Sequence, residues 1–161
     1  AVYPTLVEDF VAVGVACLRV DFRIHKFPND VDEGAHDVRA ALAWLGEHGV
    51  ERVVLVGHSF GGAVVIEVAA RSPLVAGVVT LATQTAGAMR VSEVAPRPIL
   101  LVHGTDDIRL PPRCSEILYE LAGEPRELVL IEGATHSLRQ AREQVRTLVR
   151  EFAVGVFDQP A

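Results

Sequence analysis

The feature that most restricts the fold of this 161-residue chain is a six-residue turn, Gly57-His58-Ser59-Phe60-Gly61-Gly62, set between two apolar runs. Residues 52–56 (RVVLV) read as a buried strand, and residues 63–71 (AVVIEVAAR) read as a helix that stops before Pro73. A strand that turns this abruptly into a helix needs small residues two positions before and two after the serine. Gly57 and Gly61 occupy those positions, where side chains are expected to collide. The turn lifts the Ser59 hydroxyl above the strand end and sets it at a helix N-terminus, which favours developing negative charge. A lone G-x-S-x-G arises by chance in many proteins. Its place after VVLV and before AVVIEVAA makes this one specific.

The rest of the chain repeats the alternation. Residues 15–22 (VACLRVDF) read as a strand. Residues 32–48 read as a helix, with Ala35, Val38, Ala41, Leu42 and Leu45 at helical spacing and Gly49 at its end. Strands are expected at 75–82, 99–103 and 127–131, a helix at 112–122 closed by Gly123, and a last amphipathic helix at 138–152. This rhythm of βαβ units predicts an α/β fold, a mostly parallel sheet with helices on both faces. Half the residues are hydrophobic and the mean hydropathy is +0.30, which suits strands buried on both sides. With no repeat and no linker, residues 1–161 read as a single domain.

Composition narrows the function. A net charge of -6 with scattered basic residues argues against nucleic acid as a partner. The longest uncharged run, 72–89, is interrupted by Pro73, Gly77 and Gln84, so no membrane span is expected. Glu8 and Asp9 stand where a secretory signal carries basic residues, and a cytoplasmic location is the expectation. Cys17 and Cys114 form no CxxC pair and read as reduced, buried residues. His25, His36 and His48 read as surface residues outside any ligand spacing, and no metal or cofactor is expected.

Around Ser59 and at two later motifs the sequence resembles the α/β-hydrolase family, in particular dienelactone-hydrolase and esterase-like members, over essentially its whole length. In that family an acid follows a later strand in a His-Gly-x-x-Asp-x-x-hydrophobic-Pro pattern. His103-Gly104-Thr105-Asp106-Asp107-Ile108-Arg109-Leu110-Pro111 matches it, which implies Asp107 as the acid. Gly133-Ala134-Thr135-His136 matches the family's setting for its histidine, and the order Ser, Asp, His agrees. The intervals leave room for the intervening helices and strands, so all three residues are expected at the C-terminal edge of the sheet. Some relatives carry the acid one strand earlier. There this chain offers Thr83, Gln84 and Thr85, and no carboxylate before Glu93.

The resemblance implies Ser59 as nucleophile, His136 as its base, Asp107 as the group orienting His136, and the Phe60 N–H as an oxyanion donor. Gly57, His58, Gly61 and Gly62 complete the nucleophile elbow. Taken singly, Ser59 also reads as a helix N-cap and His136 as a surface loop residue; Asp106 reads as a loop or capping residue. The alternative to a hydrolase is a ligand-binding or inactive fragment on the same scaffold.

The sequence departs from the family in three places. No strands precede residues 3–14, which resemble a helix that in the family follows a His-Gly loop donating the second oxyanion N–H. The chain is therefore expected to be N-terminally truncated, leaving residues 15–22 either beside an open slot or slipped sideways against 52–56. Residues 21–26 (DFRIHK) lack the glycines of the family's Arg-Gly-His-Gly turn. Residues 83–98 are too few for a large lid, so an open, shallow site for small esters, lactones or thioesters is expected, with Phe60 and Leu110 at its entrance.

Overall fold

Four strands, β1 (Val53–His58), β2 (Val75–Leu81), β3 (Ile99–Gly104) and β4 (Arg126–Ile131), lie side by side in chain order and all run parallel. The computed structural model describes residues 3–25 and 30–159. Among these residues five α-helices accompany the strands: α1 (Tyr3–Ala12), α2 (Val31–Glu47), α3 (Phe60–Ala69), α4 (Arg113–Leu121) and α5 (Arg142–Asp158).

Alternation along the strands explains the two layers of helices. Ile99 and Leu101 of β3 enter one core with Val38 and Leu42 of α2, Val64 and Val68 of α3, and Leu118 of α4. Their neighbours Leu100 and Val102 enter the opposite core with Leu6 and Phe10 of α1 and Val145 and Val149 of α5. Successive side chains of a strand point to opposite faces, so a continuous apolar run supplies both cores at once. Each fully buried Val or Leu contributes about 1.5–3 kcal/mol. The expected α/β architecture, a parallel sheet covered on both faces, is the one found.

Residues 15–22 depart from expectation. They form no strand; they run without a ladder, Cys17 is exposed, and Leu18 and Val20 are 48% and 40% exposed. No ladder partner reaches the segment, although one edge of β1 is open. β1 pairs with β2, and among the described residues no strand lies on its other side. An apolar, β-branched run becomes a strand only when a neighbour satisfies its N–H and C=O groups. Of the two arrangements expected for 15–22, the unpaired one occurs. The segment is held at its end instead. Phe22 meets Phe60 edge-on with ring centroids 5.5 Å apart, and Arg23 binds the carboxylates of Asp37 and Glu33 on α2. Lys26 of the unusual turn lies outside the described residues.

The helix expected over 138–152 also begins differently. Leu138 is buried in a left-handed conformation (φ 52°), a short 3-10 turn spans Arg139–Ala141, and α5 follows. It then runs on past 152 because Ala153 and Val156 remain buried. No helix among the described residues is long and apolar enough to cross a membrane.

Candidate active site

Ser59 sits between the last residue of β1 and the first of α3, with φ 56° and ψ -118°. That conformation is costly for a residue bearing a side chain, by about 1–3 kcal/mol. The surrounding fold imposes it: the Ser59 amide donates to Leu81 O at 2.8 Å, and the next residues enter α3. The serine side chain makes no capping bond to its own helix, which leaves the hydroxyl available to another partner. Ser59 thus holds the N-cap position of α3, as the sequence allowed, but without a side-chain cap bond.

Glycine is required here for steric reasons, but at one position other than expected. A Cβ on Gly57 would land on the Gly61 carbonyl and within 2.8 Å of Gly62 N, as the collision argument anticipates. A Cβ on Gly61 would meet nothing nearer than Phe22 Cε2 at 4.0 Å, an ordinary contact. The constraint falls on Gly62 instead, where a Cβ would lie 2.6 Å from Thr83 Cβ. Thr83 closes the end of β2 against the turn, with its hydroxyl 3.3 Å from Ser59 O. Phe60 is half-buried between Phe22 and α2, and as first residue of α3 its N–H belongs to the turn that lacks intrahelical acceptors.

His136 and Asp107 come to the serine from two other strand ends. His136 Nε2 lies 3.0 Å from Ser59 Oγ, and His136 Nδ1 lies 2.7 Å from Asp107 Oδ2. A carboxylate only accepts, so Nδ1 carries the proton and Nε2 offers its lone pair to the serine hydroxyl. Asp107 is buried, 4% exposed, in the loop after β3. Its Oδ1 accepts the amides of Arg109 and Leu110, each at 2.9 Å. Burial pushes this carboxyl up, but the Leu110 amide, His136 and the Arg109 amide together outweigh it and hold the group below its ordinary range. It is thus an anion at neutral pH, aimed at His136. Asp106, beside it, is exposed and its side chain bonds its neighbour Thr105.

Two further histidines back this arrangement, and the sequence assigned them no particular partner. His58 Nε2 lies 2.7 Å from His136 O, and burial pushes His58 down from its ordinary value. His103, on β3, contacts Asp107 at the same oxygen that His136 uses. The only local hint of either was its place next to a motif glycine. Gly104 matters for a separate steric reason. A Cβ there would strike the Ala134 carbonyl, so its absence lets the histidine loop lie against the end of β3. His25, His36 and His48 are exposed, as expected of surface residues, and Cys114 is a free, half-buried thiol.

Among the described residues the connection between β2 and β3 holds a 3-10 turn, Met89–Val94, and no large insertion. Two clefts of 570 and 300 Å³ lie elsewhere, one from Ile131 to the start of α5 and one between α2 and the end of α3.

Residues 2–95, which include Ser59 and end before Asp107, match the model of a family described as the alpha/beta hydrolase family. The uncharacterized protein YfhR of Escherichia coli is 33% identical over 109 residues, covering 53% of this chain and 38% of its own length. The match thus spans less than half of that relative. Est1E from Butyrivibrio proteoclasticus, solved with ferulic acid bound, superimposes with a TM-score of 0.86 at 19% identity, covering 98% of this chain and 84% of that one. The esterase domain of a Rhodothermus marinus protein gives a TM-score of 0.79 at 23% identity, covering 94% and 78%. At those identities the likeness to both structures is one of fold.

Proposed function

Because this chain belongs to the alpha/beta hydrolase family, we propose that it is a serine hydrolase that cleaves a small ester, lactone or thioester through an acyl-enzyme. The observation that carries the reading is the continuous hydrogen-bonded chain from Ser59 Oγ through His136 to Asp107. A free serine hydroxyl is a weak nucleophile, and an adjacent imidazole with an unprotonated Nε2 is the group that activates it.

In the proposed first half-reaction, Ser59 Oγ bonds to the acyl carbon while its proton passes to His136 Nε2. Asp107, an anion held by two amides, stabilises the imidazolium through Nδ1–H. The Phe60 N–H donates to the oxyanion of the tetrahedral intermediate. The bond from the acyl carbon to the leaving oxygen or sulfur then breaks, and His136 returns its proton to that atom. In the second half-reaction water gives a proton to His136, its oxygen bonds to the acyl carbon, and the proton returns to Ser59 as the carboxylic acid departs.

The short connection between β2 and β3 supports small, soluble substrates, since long acyl chains call for a larger apolar cover. The test is fluorophosphonate labelling of the purified chain, read by intact mass beside Ser59→Ala. One adduct, lost in the variant, is expected. A folded chain that takes no adduct overturns the proposal.

A further inference from the structure

His103 is a fully buried titratable side chain beside the site, 0% exposed, and the proposed reaction does not use it. A buried imidazole is costly unless its nitrogens are bonded, and both are. Nε2 lies 3.2 Å from Asp107 Oδ2 and 3.0 Å from Leu110 O; Nδ1 lies 2.7 Å from the hydroxyl of Ser115, itself 0% exposed, in the first turn of α4. Carboxylate and carbonyl both only accept, so Nε2 carries hydrogen. With Nε2 donating, Nδ1 is placed to accept from the Ser115 hydroxyl.

We propose that His103, locked by Ser115, is a positioning residue that fixes the plane of the Asp107 carboxylate for His136. The inference rests on the serine-hydrolase reading above. Oδ1 is held by two amides, but Oδ2, the oxygen that His136 uses, has His103 as its second partner. The ring also takes the carbonyl of Leu110, whose amide binds Oδ1, so one side chain ties both carboxylate oxygens into a single loop geometry. The titratable groups around this carboxylate are His136 from the loop after β4 and His103 from β3, with His58 of β1 behind His136. Because His103 shares Oδ2, it also tempers the pull of the carboxylate on the proton His136 acquires.

The test compares the full chain with His103→Leu, His103→Gln and Ser115→Ala. The readouts are fluorophosphonate labelling rate across pH and the far-downfield proton NMR signal of His136 Nδ1–H. Leucine removes the donor, and labelling is expected to slow about tenfold, with its pH midpoint moved upward as the carboxylate holds the ring's added proton more strongly. Glutamine restores an N–H toward Oδ2 and is expected to recover most of the rate. Labelling of His103→Leu and Ser115→Ala at the native rate and midpoint overturns the inference. If His103→Leu does not fold, Ser115→Ala decides alone, by the same two measures. If the native chain takes no label, the hydrolase reading fails, and the NMR signal judges His103 separately. A shift of that signal in the variants supports positioning, and an unmoved signal overturns it.

Discussion

His58 Nε2 donates to the main-chain oxygen of His136 at 2.7 Å, across 78 residues of sequence. The strand end that presents Ser59 therefore also grips the loop that presents its histidine partner. The two rings lie 4.9 Å apart, tilted by 53°. A shift of β1 relative to the loop would move both Ser59 and His136, so this bond conserves their separation.

Replacing His58 by leucine is expected to leave the His136 carbonyl without its donor while keeping the core filled. A neutral hydrogen bond is worth roughly 0.5–1.5 kcal/mol net, so fluorophosphonate labelling of Ser59 should slow about three- to tenfold. Labelling rates of the two folded proteins check this, and equal rates refute it.

Acid should lower the stability of the protein over two pH windows. Burial holds His58 below its ordinary 6.5, so below that pH the unfolded chain takes up a proton that the folded chain refuses, and stability falls as pH drops from 6.5 toward the depressed value. Asp107 behaves oppositely in charge but likewise in direction. Held below its ordinary 3.8, it contributes fully above that pH and loses its contribution as pH falls through its lowered value. Urea midpoints measured from pH 8 to 3 should decline through both windows, and His58→Gln should flatten the first.

The glycines of the elbow should separate cleanly. Gly57→Ala and Gly62→Ala place a methyl against the Gly61 backbone and Thr83 respectively, and overpacking of this kind costs about 1–3 kcal/mol. Gly61→Ala finds ordinary contact with Phe22 inside a helix, where alanine is favoured over glycine by roughly 1 kcal/mol. Urea unfolding should therefore show two destabilised variants and one at least as stable as the native chain.

Substitutions in residues 15–22 should divide by anchoring rather than by hydrophobicity. Leu18→Glu and Val20→Glu alter exposed side chains and are expected to change stability by less than about 0.5 kcal/mol. Phe22→Ala removes the edge-on contact with Phe60 and a place in the core, at a cost of about 1–2 kcal/mol. Thermal melts of the three variants test this; an equal loss at Leu18 would indicate a ladder there.

Much of the candidate site was legible because its signals are short-range. A serine between glycines, after one apolar run and before another, specifies a turn from strand to helix through local sterics, and Ser59 sits at that turn. Asp107 and His136 came from the resemblance to the family's motifs, and the structure brings them to within hydrogen-bond reach of one another across 29 residues. The strand-helix rhythm likewise anticipated a parallel sheet, since periodicities of two and about 3.6 residues are properties of the local chain.

The local chain thus specifies most of the elements and the residues at their ends. Whether an element finds a partner is a matter of tertiary packing. Residues 15–22 carry the composition of a strand, but a ladder needs a second edge, and no residue within that segment encodes one. Packing also selects which glycine is indispensable, because Thr83, which excludes a side chain at Gly62, arrives from a different strand. His58 and His103 acquired their partners in the same way, from His136 on the loop after β4 and from Asp107 and Ser115 around the end of β3. A hydrogen bond or a close approach between separate elements depends on where the sheet places their backbones, and that placement is set by packing across the whole core rather than by any neighbouring residue.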